Sequence, residues 1–149
     1  MIHTTACGVM LFRHPMNPEF LLVKHRDRYD LPKGHIEEGE SELDCALREM
    51  CEETGITSQV VRMDPHFRYT SVYYPREKRF GNQVVHKTLV VFLGYLLEEV
   101  SVVVTEHENF EWISWAPPHQ HVQTIGIDPM LDKVHAYMGT RSLSQVFNL

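Results

Sequence analysis

The sequence predicts an α/β fold, a mixed β-sheet between helices, and three observations carry that expectation. Short apolar, β-branched or aromatic runs recur at 6–12, 20–24, 58–63, 66–73, 87–97 and 109–115. One amphipathic stretch with helix-start and helix-stop signals interrupts them at 41–54. A second helical stretch, DPMLDKVHAYM at 128–138, closes the series with Pro129 in its first turn. Strands on either side of a central helix, followed by another helix, belong to the α/β class, with the strand order left open.

Size and composition narrow the field. The chain has 149 residues, enough for one domain over 1–149 with a core of its own. Its hydrophobic fraction of 43% and charged fraction of 23% are ordinary for a globular protein. No apolar run approaches the ~20 residues of a membrane helix, and MIHTTACGVMLF lacks the basic and cleavage regions of a secretory signal. A cytoplasmic location is expected. The net charge of -6 argues against nucleic-acid or membrane binding through the overall field, while leaving room for a local basic pocket. Cys7, Cys45 and Cys51 form no even disulfide set and no C-x-x-C pair, so all three read as core or near-core residues in a reducing compartment. His119 and His121 have no partner at zinc-site spacing and read as surface histidines.

The elements follow in order. ACGVMLF and FLLVK, joined by the turn-rich RHPMNPE, form a hairpin of buried strands. Residues 26–40, with Pro32, Gly34 and Gly39, read as a shaped loop leading to a helix. Ser41 is its N-cap, with Asp44 three positions on, and Gly55 its stop. Residues 74–86 read as a charged loop, a short helical stretch follows Pro117 and Pro118, and 140–149 read as a loose tail.

The central helix carries the chemistry. At 100° per residue, Leu43, Ala46, Leu47, Met50 and Thr54 share one arc, the core face, and Glu49, Glu52 and Glu53 share the neighbouring one. A solvated acidic face is the ordinary reading of such a run. It is a poor fit here: carboxylates at i,i+4 repel by roughly 0.2–0.5 kcal/mol, and negative charge in the last turn opposes the helix dipole. Clustered carboxylates suit a hard divalent cation such as Mg²⁺ or Mn²⁺, whose charge removes the repulsion. Arg48 can fix Glu52 at i,i+4 or form a plain surface pair. The turn at Lys33-Gly34 can offer a carbonyl to the metal. Lys33 and His35, with Arg26 or Arg28, suit phosphate oxygens. Metal facing phosphate implies phosphoryl transfer to water, with a carboxylate as base or metal bridge.

These residues resemble a known family. Gly34, five residues, Glu40, seven residues, Arg48-Glu49-Met50, one residue, Glu52-Glu53, one residue, Gly55-Ile56 is similar to the complete Nudix box, spanning 34–56. With each fixed residue type used about one time in fifteen, chance agreement is on the order of 10⁻⁸ per window. The resemblance implies a Nudix-type α/β/α sandwich with a central mixed sheet. It also implies hydrolysis of a nucleoside diphosphate linked to another group, with Mg²⁺ or Mn²⁺. Carried over, Glu49, Glu52 and Glu53 are metal ligands and base candidates, Gly34 gives its carbonyl, and Glu40 and Arg48 hold the loop to the helix.

Outside the box, LPKGH, HKTLVVFL at 86–93 and TEHENFEW at 105–112 resemble the asymmetrical diadenosine tetraphosphate hydrolases. That resemblance implies that Lys33, His35 and Lys87 contact the polyphosphate, and that Glu106 is a further metal ligand or base. Without it, Lys87 reads as an edge-strand lysine and Glu106 as a loop carboxylate. Tyr73 and Tyr74 are candidates for an adenine slot, against the alternative of core tyrosines. Leu31 and Thr105 depart from that subfamily's pattern, where proline and histidine are expected. The expected partner is a small-molecule nucleotide, not a membrane or a nucleic acid, and no oligomeric state follows from the sequence. Other readings are hydrolysis of nucleoside triphosphates, ADP-ribose, diphosphoinositol polyphosphates or RNA 5′-ends, or a non-catalytic nucleotide-binding module.

Overall fold

The computed structural model describes residues 1–104, 109–118 and 127–149. Its first half runs β1 (His3–Arg13), β2 (Glu19–Lys24), β3 (Tyr29–Asp30), β4 (Lys33–His35) and helix α1 (Glu42–Thr54). Then come β5 (Val61–Met63), β6 (Tyr69–Tyr73), β7 (Arg76–Glu77), β8 (Gln83–Val84), β9 (His86–Leu96), β10 (Asn109–Ser114), α2 (Ile127–Met138) and α3 (Leu143–Val146). Among the described residues, eight strands form one mixed sheet, and β7 and β8 form a separate two-stranded one.

Strands β1 and β9 form the sheet's centre. They run parallel, from His3↔His86 to Phe12↔Tyr95, and every other pairing among the described residues is antiparallel. Their outer edges are shared. On β1, the β4 strand pairs at Ala6 to Gly8 and β2 at Phe12 and Arg13. On β9, the β6 strand pairs at Lys87 to Val91 and β5 at Gly94 to Leu96. One end of the sheet therefore reads β4-β1-β9-β6, and the site lies there.

Alternation along β1 explains the sandwich. Cys7, Val9 and Leu11 enter a core with Cys45, Ala46 and Met50 of α1. Met10 and Phe12 enter a second core with Met130, Leu131 and Val134 of α2. Because both faces are covered, the strand reads as an unbroken apolar run. The fold is the expected α/β sandwich.

Helix α1 is capped as its sequence predicts. Ser41 accepts from the Asp44 amide at 3.1 Å, and Gly55, at φ 77, donates to the Cys51 carbonyl at 2.8 Å. Its packing face differs from the expected one. Leu43 is 39% exposed, whereas Cys45, Ala46, Met50, Glu53 and Thr54 are buried. The buried arc is turned by about 60° towards the glutamates, so part of the acidic stripe faces protein.

Four further expectations differ from the structure. Cys51 is exposed, because it lies on the outer side of α1. The loop at 26–40 contains β3 and β4, and the loop at 74–86 contains the β7–β8 hairpin. The loose tail is a packed end: α3 has a capping box between Ser142 and Gln145. Leu143 and Phe147 are buried, with the Phe147 ring 5.7 Å from Tyr95 and 6.4 Å from Phe12. The expected short helix after Pro118, His119 and His121 lie outside the described residues.

Candidate active site

Period-two alternation along β4 divides the site. Gly34 pairs with Cys7, whose side chain faces α1, whereas Lys33 and His35 pair with Gly8 and Ala6 and point to the α2 face. Space for this strand is left by glycine: a Cβ on Gly8 would come within 2.6 Å of the Pro32 carbonyl oxygen and 2.7 Å of Lys33 Cβ.

On the α1 side, a Cβ on Gly34 would overlap the Glu49 carboxylate. One turn on, Glu53 Oε2 accepts from the Lys33 amide at 3.1 Å. Burial pushes the Glu53 carboxyl up to about 8, and the neighbouring charge of Glu49 adds to it against the Lys33 amide. Glu52 points outward, with its side chain 57% exposed.

Arg48 organises this wall. Its guanidinium grips Glu40 with two hydrogen bonds, at 2.7 and 3.0 Å, and donates to the His35 carbonyl at 3.0 Å. Its remaining nitrogen reaches Glu49 at 2.9 Å and both oxygens of Glu52 at 3.2 Å. The two-pronged partner is thus Glu40 rather than Glu52. Arg48 and the Glu37 amide hold the Glu40 carboxyl down at about 2.

On the α2 side lies a cleft of about 770 Å³, with Lys33, Lys87, Tyr73, Glu77 and Arg28 among its walls and Leu89 contributing apolar surface. Lys87 is not an edge-strand lysine: β9 lies between β1 and β6, and the residue is 8% exposed. Its Nζ lies 3.1 Å from Glu77 Oε1 and 5.8 Å from the centre of the Tyr73 ring. Lys33 Nζ pairs with Asp30 at 3.2 Å. Burial alone would lower that ammonium, but Asp30, Tyr73 and Glu53 outweigh it and raise it above its usual value.

His35 Nε2 lies 3.5 Å from the same Glu77 oxygen. Burial, with the charges of Lys87 and Arg79, lowers its imidazole despite Glu77, which favours the neutral donor near pH 7. Tyr73 lines the cleft, whereas Tyr74 is 58% exposed and packs edge-on against His86 at 5.5 Å. Neither is a core residue. Arg28 lines the cleft and Arg26 is not among its walls. Glu106 and Thr105 lie outside the described residues. Sequence reasoning missed Glu77 and Asp30, because neither pairing follows from a motif.

The donors Glu49, Glu52, Glu53 and the Gly34 carbonyl are all oxygens, which suit a hard divalent cation. Among the described residues, no three His, Cys, Asp or Glu side chains close into a ready cage.

A mixed sheet between helices, with a carboxylate wall and a cationic cleft on opposite faces of one strand, defines a hydrolase of the Nudix type. The NUDIX domain model matches residues 2–137, and the chain belongs to the Nudix family of hydrolases. Such hydrolases generally use divalent metals. The chain is 30% identical over 145 residues to the asymmetrical bis(5′-nucleosyl)-tetraphosphatase of Mus musculus, covering 89% of this chain and 94% of that protein. The Rattus norvegicus enzyme of the same name matches with equal identity and coverage. Among solved structures, a C. elegans Ap4A hydrolase binary complex superposes with a TM-score of 0.77 at 25% identity, covering 91% of this chain and 97% of that one. No helix among the described residues is long and apolar enough to cross a membrane.

Proposed function

We propose that this Nudix hydrolase cleaves diadenosine tetraphosphate asymmetrically to ATP and AMP, with Mg²⁺ or Mn²⁺ as its cofactor. The observation that carries the reading is Lys33, whose amide meets the buried Glu53 carboxylate while its ammonium enters the cleft. Lys33 thereby joins the carboxylate wall, through its amide, to the cationic cleft, through its side chain. The names of the mouse, rat and C. elegans relatives support the choice of substrate.

In this reading Lys33, Lys87 and neutral His35 hold the polyphosphate, and Tyr73 offers an aromatic face to a base. Tyr74 stays a candidate only for the outer rim. Glu49, Glu52, Glu53 and the Gly34 carbonyl hold the cation, with Glu106 as a further ligand candidate, and Arg48 positions the first two. When bound, the cation supplies charge neutralisation at the phosphates and a more acidic water. The attacking water gives its proton to a carboxylate of this wall, its oxygen adds to phosphorus, and the bridging P–O bond breaks. A panel of diadenosine tetraphosphate, ATP, dATP, ADP-ribose and a diphosphoinositol phosphate with Mg²⁺ tests the substrate. Fastest turnover of diadenosine tetraphosphate is expected; preference for ADP-ribose would overturn the assignment.

A further inference from the structure

We propose that Glu77 is a displaceable internal anion: its carboxylate occupies the place between Lys87 and His35 that a phosphate takes on binding, and so sets the affinity for polyphosphate. The inference rests on the reading of the cleft as a polyphosphate site.

Both lysines of the cleft carry a carboxylate partner, but the two carboxylates are held differently. Asp30 pairs with Lys33 at 3.2 Å, and its Oδ1 also accepts from the Leu31 amide at 2.8 Å. Its strand, β3, is hydrogen-bonded to β2 in the main sheet. Asp30 is part of the frame. Glu77 reaches Lys87 at 3.1 Å and His35 at 3.5 Å from a hairpin whose ladder, among the described residues, joins β7 to β8 alone. It can leave without breaking a hydrogen bond of the main sheet.

Exchange of this carboxylate for a phosphate conserves the electrostatics. Lys87 is nearly buried, and a buried ammonium left without a counter-charge is costly. A phosphate oxygen arriving as Glu77 departs offers Lys87 the acceptor it had, and offers His35 Nε2, which lies 3.5 Å from Glu77 and makes no hydrogen bond, a partner of its own. Apparent affinity is then reduced by the fraction of molecules in which Glu77 has moved aside. An open population of about 10% makes that reduction about tenfold. Neutralising Glu77 removes the competitor while leaving both donors in place.

The test is calorimetric titration of inorganic tripolyphosphate into the full chain in EDTA buffer, so that neither metal nor turnover enters. Glu77→Gln is expected to bind about tenfold more tightly than the wild type. Glu77→Asp, which keeps the charge and shortens its reach, is expected between the two. Lys87→Gln is expected to weaken binding and to erase the difference made by Glu77→Gln in the double variant. Equal or weaker binding by Glu77→Gln, or no binding by either it or the wild type, would overturn the proposal. Because no hydrolysis is read, the substrate assignment can fail on its own while this result stands, and the reverse also holds.

Discussion

The amide of Lys33 donates to the Glu53 carboxylate at 3.1 Å, although the two residues lie twenty positions apart and on different elements. This contact ties the last turn of α1 to β4 and places the acidic wall against the root of a cleft lysine. Helix geometry supplies the rest, because Glu49 and Glu53 are one turn apart and face the same strand.

Glu53→Gln keeps the shape of the carboxyl group and removes its ability to ionise. Turnover is expected to fall by about 10²- to 10⁴-fold without loss of the fold, as read by steady-state kinetics and circular dichroism. Stability should move the other way. Between the ordinary carboxylate value of 4.5 and the folded value of about 8, the folded chain holds a proton that the unfolded chain has lost. Stability therefore falls with rising pH over that window. In EDTA buffer the variant should melt higher than the wild type at pH 8 and alike at pH 4.

Glu40 has the opposite sign. Its carboxyl is held at about 2 in the folded chain, below the ordinary 4.5. Its contribution is present above pH 4.5 and is lost as pH falls through 2. Glu40→Gln should melt lower at pH 7, with the difference shrinking as the buffer is acidified. A constant gap across that range would contradict the Arg48 clamp.

Gly34→Ala places a methyl group where the Glu49 carboxylate lies. Overpacking of this kind costs about 1–3 kcal/mol, and Glu49 must turn away from the wall. A drop in kcat larger than the drop in stability would predict, with the helical signal kept, is the expected result.

Lys87→Met removes a charged donor and leaves Glu77 without that partner. Loss of a charge-assisted hydrogen bond of roughly 1.5–3 kcal/mol raises KM for the polyphosphate by about 10- to 100-fold. Phe147→Ala addresses the other end of the chain: truncating a buried phenylalanine costs about 3–5 kcal/mol. It should lower the melting temperature while leaving kcat/KM near that of the wild type.

Much of the fold is legible in the sequence because its strands are apolar on both faces and its central helix carries its own caps, Ser41 and Gly55. Gly34 to Ile56 shows its spacing directly, since the positions are close in sequence. The short strand Lys33 to His35 is not legible: its polar residues, next to Pro32 and Gly34, suit a loop, and only pairing with β1 makes it a strand. The rotation of α1 that buries Glu53 and exposes Leu43 depends on that strand and is hidden for the same reason. Glu77 is hidden because its hairpin is charged and its partners, Lys87 and His35, belong to different elements. The packed end escapes notice because Leu143, Val146 and Phe147 span too short a stretch, a helix of 4 residues, to show a period.

The products formed from diadenosine tetraphosphate test the central claim most directly. In a quenched time course with Mg²⁺, resolved chromatographically, ATP and AMP should appear in equal amounts, and neither should form at a comparable rate with Glu53→Gln or with EDTA. Formation of two ADP molecules, or turnover indifferent to both Glu53 and EDTA, would contradict it.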